Sequence, residues 1–168
     1  MLENFNKENY QVEKAIQFND KNGLNYLIIR MKELRTDNTH SKTLFVQHFI
    51  EEKFKIRLLR QITDFELDCE FDNDLQFIDK SLTISDLDKN NYAEISFLYK
   101  VGCRSDVSPI GLKLMVLENG NKAAIRGKTI PRNMGFKDEK TADEAFKKLP
   151  KIIQDQAYLL WKNFAPEF

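Results

Sequence analysis

Over the first three quarters of the chain, short apolar runs separated by polar turns recur at the spacing of strands. Residues 26–31 (Tyr-Leu-Ile-Ile-Arg-Met) read as one strand and residues 43–50 as its hairpin partner, across a polar loop at 36–41. Glu51-Glu52 turns the chain into residues 54–60, whose alternation predicts one buried face. A less regular stretch at 64–74 follows, and 75–78 and 82–84 lead into an acidic loop. Beyond it, residues 93–101, 112–117 and 123–127 read as strands. The last two are joined by Glu118-Asn119-Gly120-Asn121, and Asn-Gly is a strong signal for a tight antiparallel hairpin.

The period changes in the last quarter. Thr141-Ala142-Asp143-Glu144 has the form of a capping box at a helix start, with the helix running to Pro150. A second helix restarts at Pro150 and places Ile153, Ala157, Leu160, Trp161 and Phe164 on one face. That stripe predicts packing against a sheet. The expected fold is therefore α+β, mainly antiparallel β-hairpins with C-terminal helices packed on the sheet. One domain spans 1–168, with an N-terminal arm at 1–13, a β-rich core at 14–130 and a helical segment at 141–164.

Composition narrows the function classes. At 168 residues the chain suffices for one domain with its own core, which thirteen Phe and five Tyr make aromatic-rich. Its 26 basic and 26 acidic residues cancel, so no global field favours nucleic acid or an anionic membrane. The basic cluster Lys53-Phe54-Lys55-Ile56-Arg57 alternates with apolar residues and reads as the wet face of a strand. No apolar stretch approaches the roughly 18–20 residues of a membrane span. The first residues lack the apolar core of a signal peptide. That leaves a cytoplasmic protein, or one whose export signal has been removed ahead of Met1.

Cys69 and Cys103 are too widely spaced for a CxxC redox or zinc motif. Both readings stand: two reduced thiols, or a bridge. A bridge closing a loop of this size would contribute about 3–4 kcal/mol and imply export.

Two stretches carry candidate chemistry. In residues 86–94, Asp86, Asp88 and Asn90 place oxygens at alternate positions, the Tyr92 carbonyl follows, and Glu94 adds a carboxylate. Such a set can converge on a hard cation such as Ca²⁺. Asn91 stands where an EF-hand has Gly, and Phe97 where it has Glu. The loop looks more like the Asp-rich hairpin loops of FG-GAP and related propeller repeats, with Asn91 taking the left-handed conformation. The competing reading is an Asx-rich turn whose side chains cap their own backbone. Asp20-Lys21-Asn22-Gly23 echoes the loop in reduced form and reads as a turn only. Two such units make no complete propeller.

The second stretch is Cys103–Pro109. Arg104 there offers a planar fork for a carboxylate or phosphate, with Ser105 and Asp106 as neighbouring ligand-binding candidates. An internal Arg104–Asp106 pair that fixes the loop is the alternative. Ser105 lacks a nucleophile elbow. His48, in an apolar run, reads as structural, and His40 as a loop residue. No Walker loop, dinucleotide fingerprint or HExxH is present, so no catalytic residue is assigned.

Residues 85–100 and 103–109, with Asp68-Cys69 and Ala124-Ile125-Arg126-Gly127, resemble a small family of Bacteroidetes proteins assigned to surface polysaccharide biosynthesis. The likeness covers the second half of the chain strongly and the first half loosely. It implies a link to the cell envelope, with a glycan or envelope protein as partner and a Cys69–Cys103 bridge. It names no reaction. The leading expectation is a non-enzymatic envelope binding or scaffold module whose loop takes Ca²⁺. One alternative is an enzyme acting on carbohydrate or phosphate esters through Asp86, Asp88, Glu94 and Asp106, with Arg104 as clamp. The other is a cytoplasmic protein-binding module with free thiols.

Overall fold

The computed structural model describes residues 10–167. Four long strands, β1 (Tyr10–Asp20), β2 (Gly23–Arg35), β3 (His40–Glu52) and β4 (Lys55–Cys69), form an antiparallel meander in that order. The short β5 (Asp72–Asn73) precedes β6 (Gln76–Ser85), β7 (Glu94–Val101), β8 (Cys103–Arg104), β9 (Gly111–Glu118) and β10 (Asn121–Lys128). The chain ends through β11 (Ile130–Pro131), β12 (Lys140–Ala142), α1 (Glu144–Lys147), α2 (Lys151–Phe164) and β13 (Pro166–Glu167). The second sheet has the order β12-β10-β9-β7-β6, all antiparallel. Two small pairs complete it, β5 with β8 and β11 with β13.

Strand alternation explains the layers, because successive side chains point to opposite faces. Leu27, Ile29 and Met31 of β2 and Leu44 and Val46 of β3 point inward. They meet Ile95, Phe97 and Tyr99 of β7 and Met115 and Leu117 of β9. The other face of the second sheet supplies Leu98, Leu112, Leu114, Val116 and Ile125. These receive Ile153, Ala157, Leu160 and Trp161 of α2, the stripe expected from the helical period. The order is sheet, sheet, helix, with β7 in the middle and buried on both faces. Truncating a core Leu or Ile to Ala in such a layer costs roughly 2–5 kcal/mol. The Trp161 indole donates to Asp138 at 2.9 Å, so burying it leaves no orphan donor.

The hairpin at Asn119-Gly120 forms as expected, both residues at positive φ (45° and 78°). Three local expectations change. Residues 10–13, assigned to an arm, begin β1 and pair with β2; residues 1–9 lie outside the described part. The irregular stretch after residue 60 is largely strand, because β4 continues to Cys69. Register breaks in its pairing with β3 disturb the simple alternation. Finally, the capping box shifts. Thr141 belongs to β12, which extends the second sheet from β10, and Asp143 caps α1 by accepting the Phe146 N–H at 2.8 Å. The molecule is mostly antiparallel sheet, and its helices are few and short.

Candidate functional site

Ser85 pairs with Glu94 at the end of the β6–β7 ladder, which closes residues 86–93 into a loop. Within it, one oxygen each from Asp86, Asp88 and Glu94 lie within 4.8 Å of one another. Glu94 is buried and accepts from the Leu87 N–H (2.9 Å) and the Ser85 hydroxyl (3.1 Å). Burial pushes its carboxyl above the ordinary range despite those bonds. Asp88 accepts the Asn90 N–H at 3.1 Å, and Asp86 the Asn91 N–H at 3.2 Å. Lys89 and Asn91 both take positive φ (60° and 72°), so Asn91 adopts the left-handed conformation expected of it.

Each carboxylate oxygen keeps lone-pair capacity beyond these bonds. Three hard oxygens at this separation can hold a metal ion. Asp86, Asp88 and Glu94 are three of the five expected ligands. The Asn90 oxygen accepts the Tyr92 N–H at 2.7 Å, while its amide NH₂ reaches Asp88 and Glu118. The Tyr92 ring lies under the Lys21 ammonium at 5.0 Å.

The turn at Asp20, an echo in sequence, docks against this loop. Lys21 N–H donates to the Asn91 carbonyl at 2.7 Å, and Ala93 N–H to the Asp20 carboxylate at 3.1 Å. The other Asp20 oxygen takes the Asn22 N–H (2.7 Å) and the Asn25 side-chain amide (2.8 Å). Asn25 in turn bonds His48 Nε2 at 2.8 Å. Asn25 and His48 are fully buried, so His48 is structural as expected. Burial lowers its pKa, with the Asp20 charge opposing. A hollow of about 690 Å³ lies at this junction, bordered by Asp20, Lys21, Ser85, Asp86 and Asn91. The sequence marks Asp20 only as the start of a turn and does not single out Asn25. The available signal was a polar residue in the inward row of Leu27 and Ile29.

The second candidate stretch lies at the other end of β7. Cys69 and Cys103 are bridged, with Cα atoms 5.6 Å apart, tying the end of β4 in the first sheet to β8, just after β7. Arg104 does not pair with Asp106. Its Nε donates to Asp74 at 2.6 Å, and its terminal nitrogens to the Ser108 carbonyl (2.6 Å) and to Glu167 (3.1 and 3.3 Å). Lys100 also binds Glu167. Burial pushes the Glu167 carboxyl up, and the bonds from Arg104, Lys100 and Thr129 outweigh it, leaving the pKa below the ordinary range. Asp106 instead accepts the Ser108 N–H at 2.8 Å, and hydrogen bonding from the Ser108 side chain, then from its backbone, holds the carboxyl low, with the Arg104 charge adding to it.

A polar cleft of about 760 Å³ opens here, bordered by His40, Phe71, Asp72, Lys100, Ser105 and Asp106. Its charged groups are of both signs and largely paired. His40 sits 3.3 Å from Glu33. Arg104 and Asp106 are separated from Asp86, Asp88 and Glu94 by the length of β7, roughly 25 Å. One substrate-sized pocket does not hold both groups. The chain matches no protein-family model, no curated protein and no solved structure.

Proposed function

We propose that the chain is a non-catalytic binding or scaffold module of the cell envelope, with Ca²⁺ rigidifying the loop end of its two sheets. The observation that carries this reading is the convergence of Asp86, Asp88 and Glu94, of which Glu94 is buried and desolvated. A bound divalent cation would supply the positive charge that Glu94 lacks. It would also lock the β6–β7 loop onto the Asp20 turn. The bridge between Cys69 and Cys103 fits an oxidising compartment. Arg104 speaks for a structural role, because its donors are engaged by Asp74, Ser108 and Glu167. The link to surface polysaccharide rests on the resemblance of residues 85–109, which makes a glycan or an envelope protein the partner.

The test combines thiol titration of denatured, unreduced protein with calcium titration followed by calorimetry and thermal melting. Two blocked thiols, and a calcium-dependent rise in melting temperature that Asp88→Ala abolishes, support the reading. Turnover of a glycan by purified protein, lost in Asp88→Ala, overturns it in favour of an enzyme. Two free thiols with no calcium effect overturn it in favour of a cytoplasmic binding protein.

A further inference from the structure

The two edges of the first sheet differ. At one, β1 carries Lys14 in an ion pair with Asp79 of β6 at 2.7 Å, which ties that edge to the second sheet. At the other, among the described residues, β4 pairs only with β3, and its 15 residues leave one side of the backbone without a ladder. Such an edge is a template for another strand unless the chain blunts it. Charge is the usual means, and β4 carries six charges sorted by sign. Lys55, Arg57 and Arg60 occupy its first half, and Asp64, Glu66 and Asp68 its second. Its exposed apolar residues divide in the same way. Ile56 and Leu58 lie in the first half, Phe65 and Leu67 in the second, each between 45 % and 56 % exposed.

We propose that β4 pairs antiparallel with β4 of a second copy, joining the two four-stranded sheets across a two-fold axis at Ile62. Register selects this partner. Within the chain, the ladder to β3 passes from His48–Arg60 to Phe49–Leu58, so Leu59 is a bulge that reverses which side of β4 the residues before it face. Ile56 and Leu58 therefore share the outward side with Gln61, Thr63, Phe65 and Leu67. Arg57 shares the inward side with Arg60, Asp64 and Glu66. With Ile62 on the axis, Gln61 meets Thr63 of the second copy, and Arg60 meets its Asp64. Past the bulge, Leu58 meets Phe65, Arg57 meets Glu66 and Ile56 meets Leu67. Both members of every pair lie on the same side of the joined sheet. Apolar faces apolar and cation faces anion, which are the cross-strand pairs that stabilise an antiparallel ladder. A parallel copy would set like charges opposite one another, and an uncharged strand would leave them unmatched. The edge is thus closed to most strands and complementary to itself, as an isologous contact requires. Arg60 and Asp64 are already held within their own chain, by the Gly120 carbonyl and by Tyr99 and Lys113. The selective pair is therefore Arg57 with Glu66. Arg57 rests at the surface on the exposed Glu52, 3.2 Å away, and the Glu66 carboxylate has no ion pair among the described residues.

Sedimentation velocity on the full chain with its disulfide intact, from low micromolar to several hundred micromolar, tests this. The expected result is a reversible dimer. Arg57→Glu alone and Glu66→Arg alone each set like charges opposite one another and weaken it by about tenfold, with the melting temperature at low concentration kept. An equimolar mixture of the two variants restores the dimer, because each copy brings the charge the other lacks, and the double variant does so by itself. Residues 57 and 66 stand about 30 Å apart along one strand, so no contact within a chain explains that rescue. A chain that is monomeric at every concentration overturns the proposal and leaves the edge to a strand of another protein. A dimer indifferent to both substitutions lies on another surface and overturns it. A loss that neither the mixture nor the double variant repairs denies the antiparallel register and equally overturns it.

Discussion

The Asp20 carboxylate accepts the backbone N–H of Ala93, 73 residues further along the chain, at 3.1 Å. One side chain thus joins the first hairpin of one sheet to the acidic loop of the other, and through Asn25 it reaches the buried His48. Asp20→Ala leaves the Ala93 N–H and the Asn25 amide short of an acceptor. The expected cost is about 1–3 kcal/mol, measured by urea unfolding. Amide exchange at Lys21 and Ala93 should quicken while exchange in α2 stays slow.

Glu94 carries a pH dependence of definite sign. Burial raises its pKa above the ordinary 4.5, so the folded chain binds this proton more tightly than the unfolded one. The stabilisation is fully present below the unfolded value and is lost as pH rises through the folded one. At neutral pH without metal, Glu94→Gln therefore raises the melting temperature slightly, keeping an acceptor for Ser85 and Leu87. The same variant loses the calcium-dependent rise. Paired melts in chelator and in calcium read both effects, and a variant with an undiminished calcium shift removes Glu94 from the ligand set.

Glu167 has the opposite sign. Its pKa is depressed by Arg104, Lys100 and Thr129 against its own burial. Its contribution is present above the ordinary value near 4.5 and disappears as pH falls through the folded value. Glu167→Gln mimics the acid state at neutral pH. It removes one of the two carboxylates that hold the largely buried Arg104 guanidinium, Asp74 keeping the other, at a cost of about 1–3 kcal/mol. Denaturant midpoints from pH 7 to pH 3 should fall steeply for the wild type and less steeply for the variant.

His48 predicts a second acid-side loss in a higher window. Burial lowers its pKa from the ordinary 6.5, so the unfolded chain takes up the proton first. Stability falls as pH drops through 6.5 towards the folded value. His48→Gln keeps a partner for Asn25 and removes this titration. The slope of stability against pH between 7 and 5.5 should flatten, and an unchanged slope assigns it to another group.

Local signals were legible where neighbours along the chain decide the outcome. Asn119-Gly120 makes its turn because these two residues tolerate positive φ, and the stripe from Ile153 to Trp161 finds a sheet because its period matches the helix. The acidic loop was legible for the same reason, since Asp86, Asp88 and Glu94 are near in sequence and joined by one ladder pair. The Thr141 box failed because pairing of β12 with β10 outweighs the local helix signal, and the helix starts only where Asp143 can cap it. Arg104 was misread because its carboxylates, Asp74 and Glu167, lie 30 and 63 residues away.

By itself the sequence determined most of the central strands, the Asn119-Gly120 hairpin, the final helix and the loop able to gather three carboxylates. These follow from periodicity and from side chains acting on their own backbone. Tertiary structure alone decided which sheet faces which and that the Asp20 turn docks on the acidic loop. It also decided that the acids and Arg104 stand at opposite ends of β7. Those outcomes depend on contacts between residues distant along the chain, which no local pattern encodes.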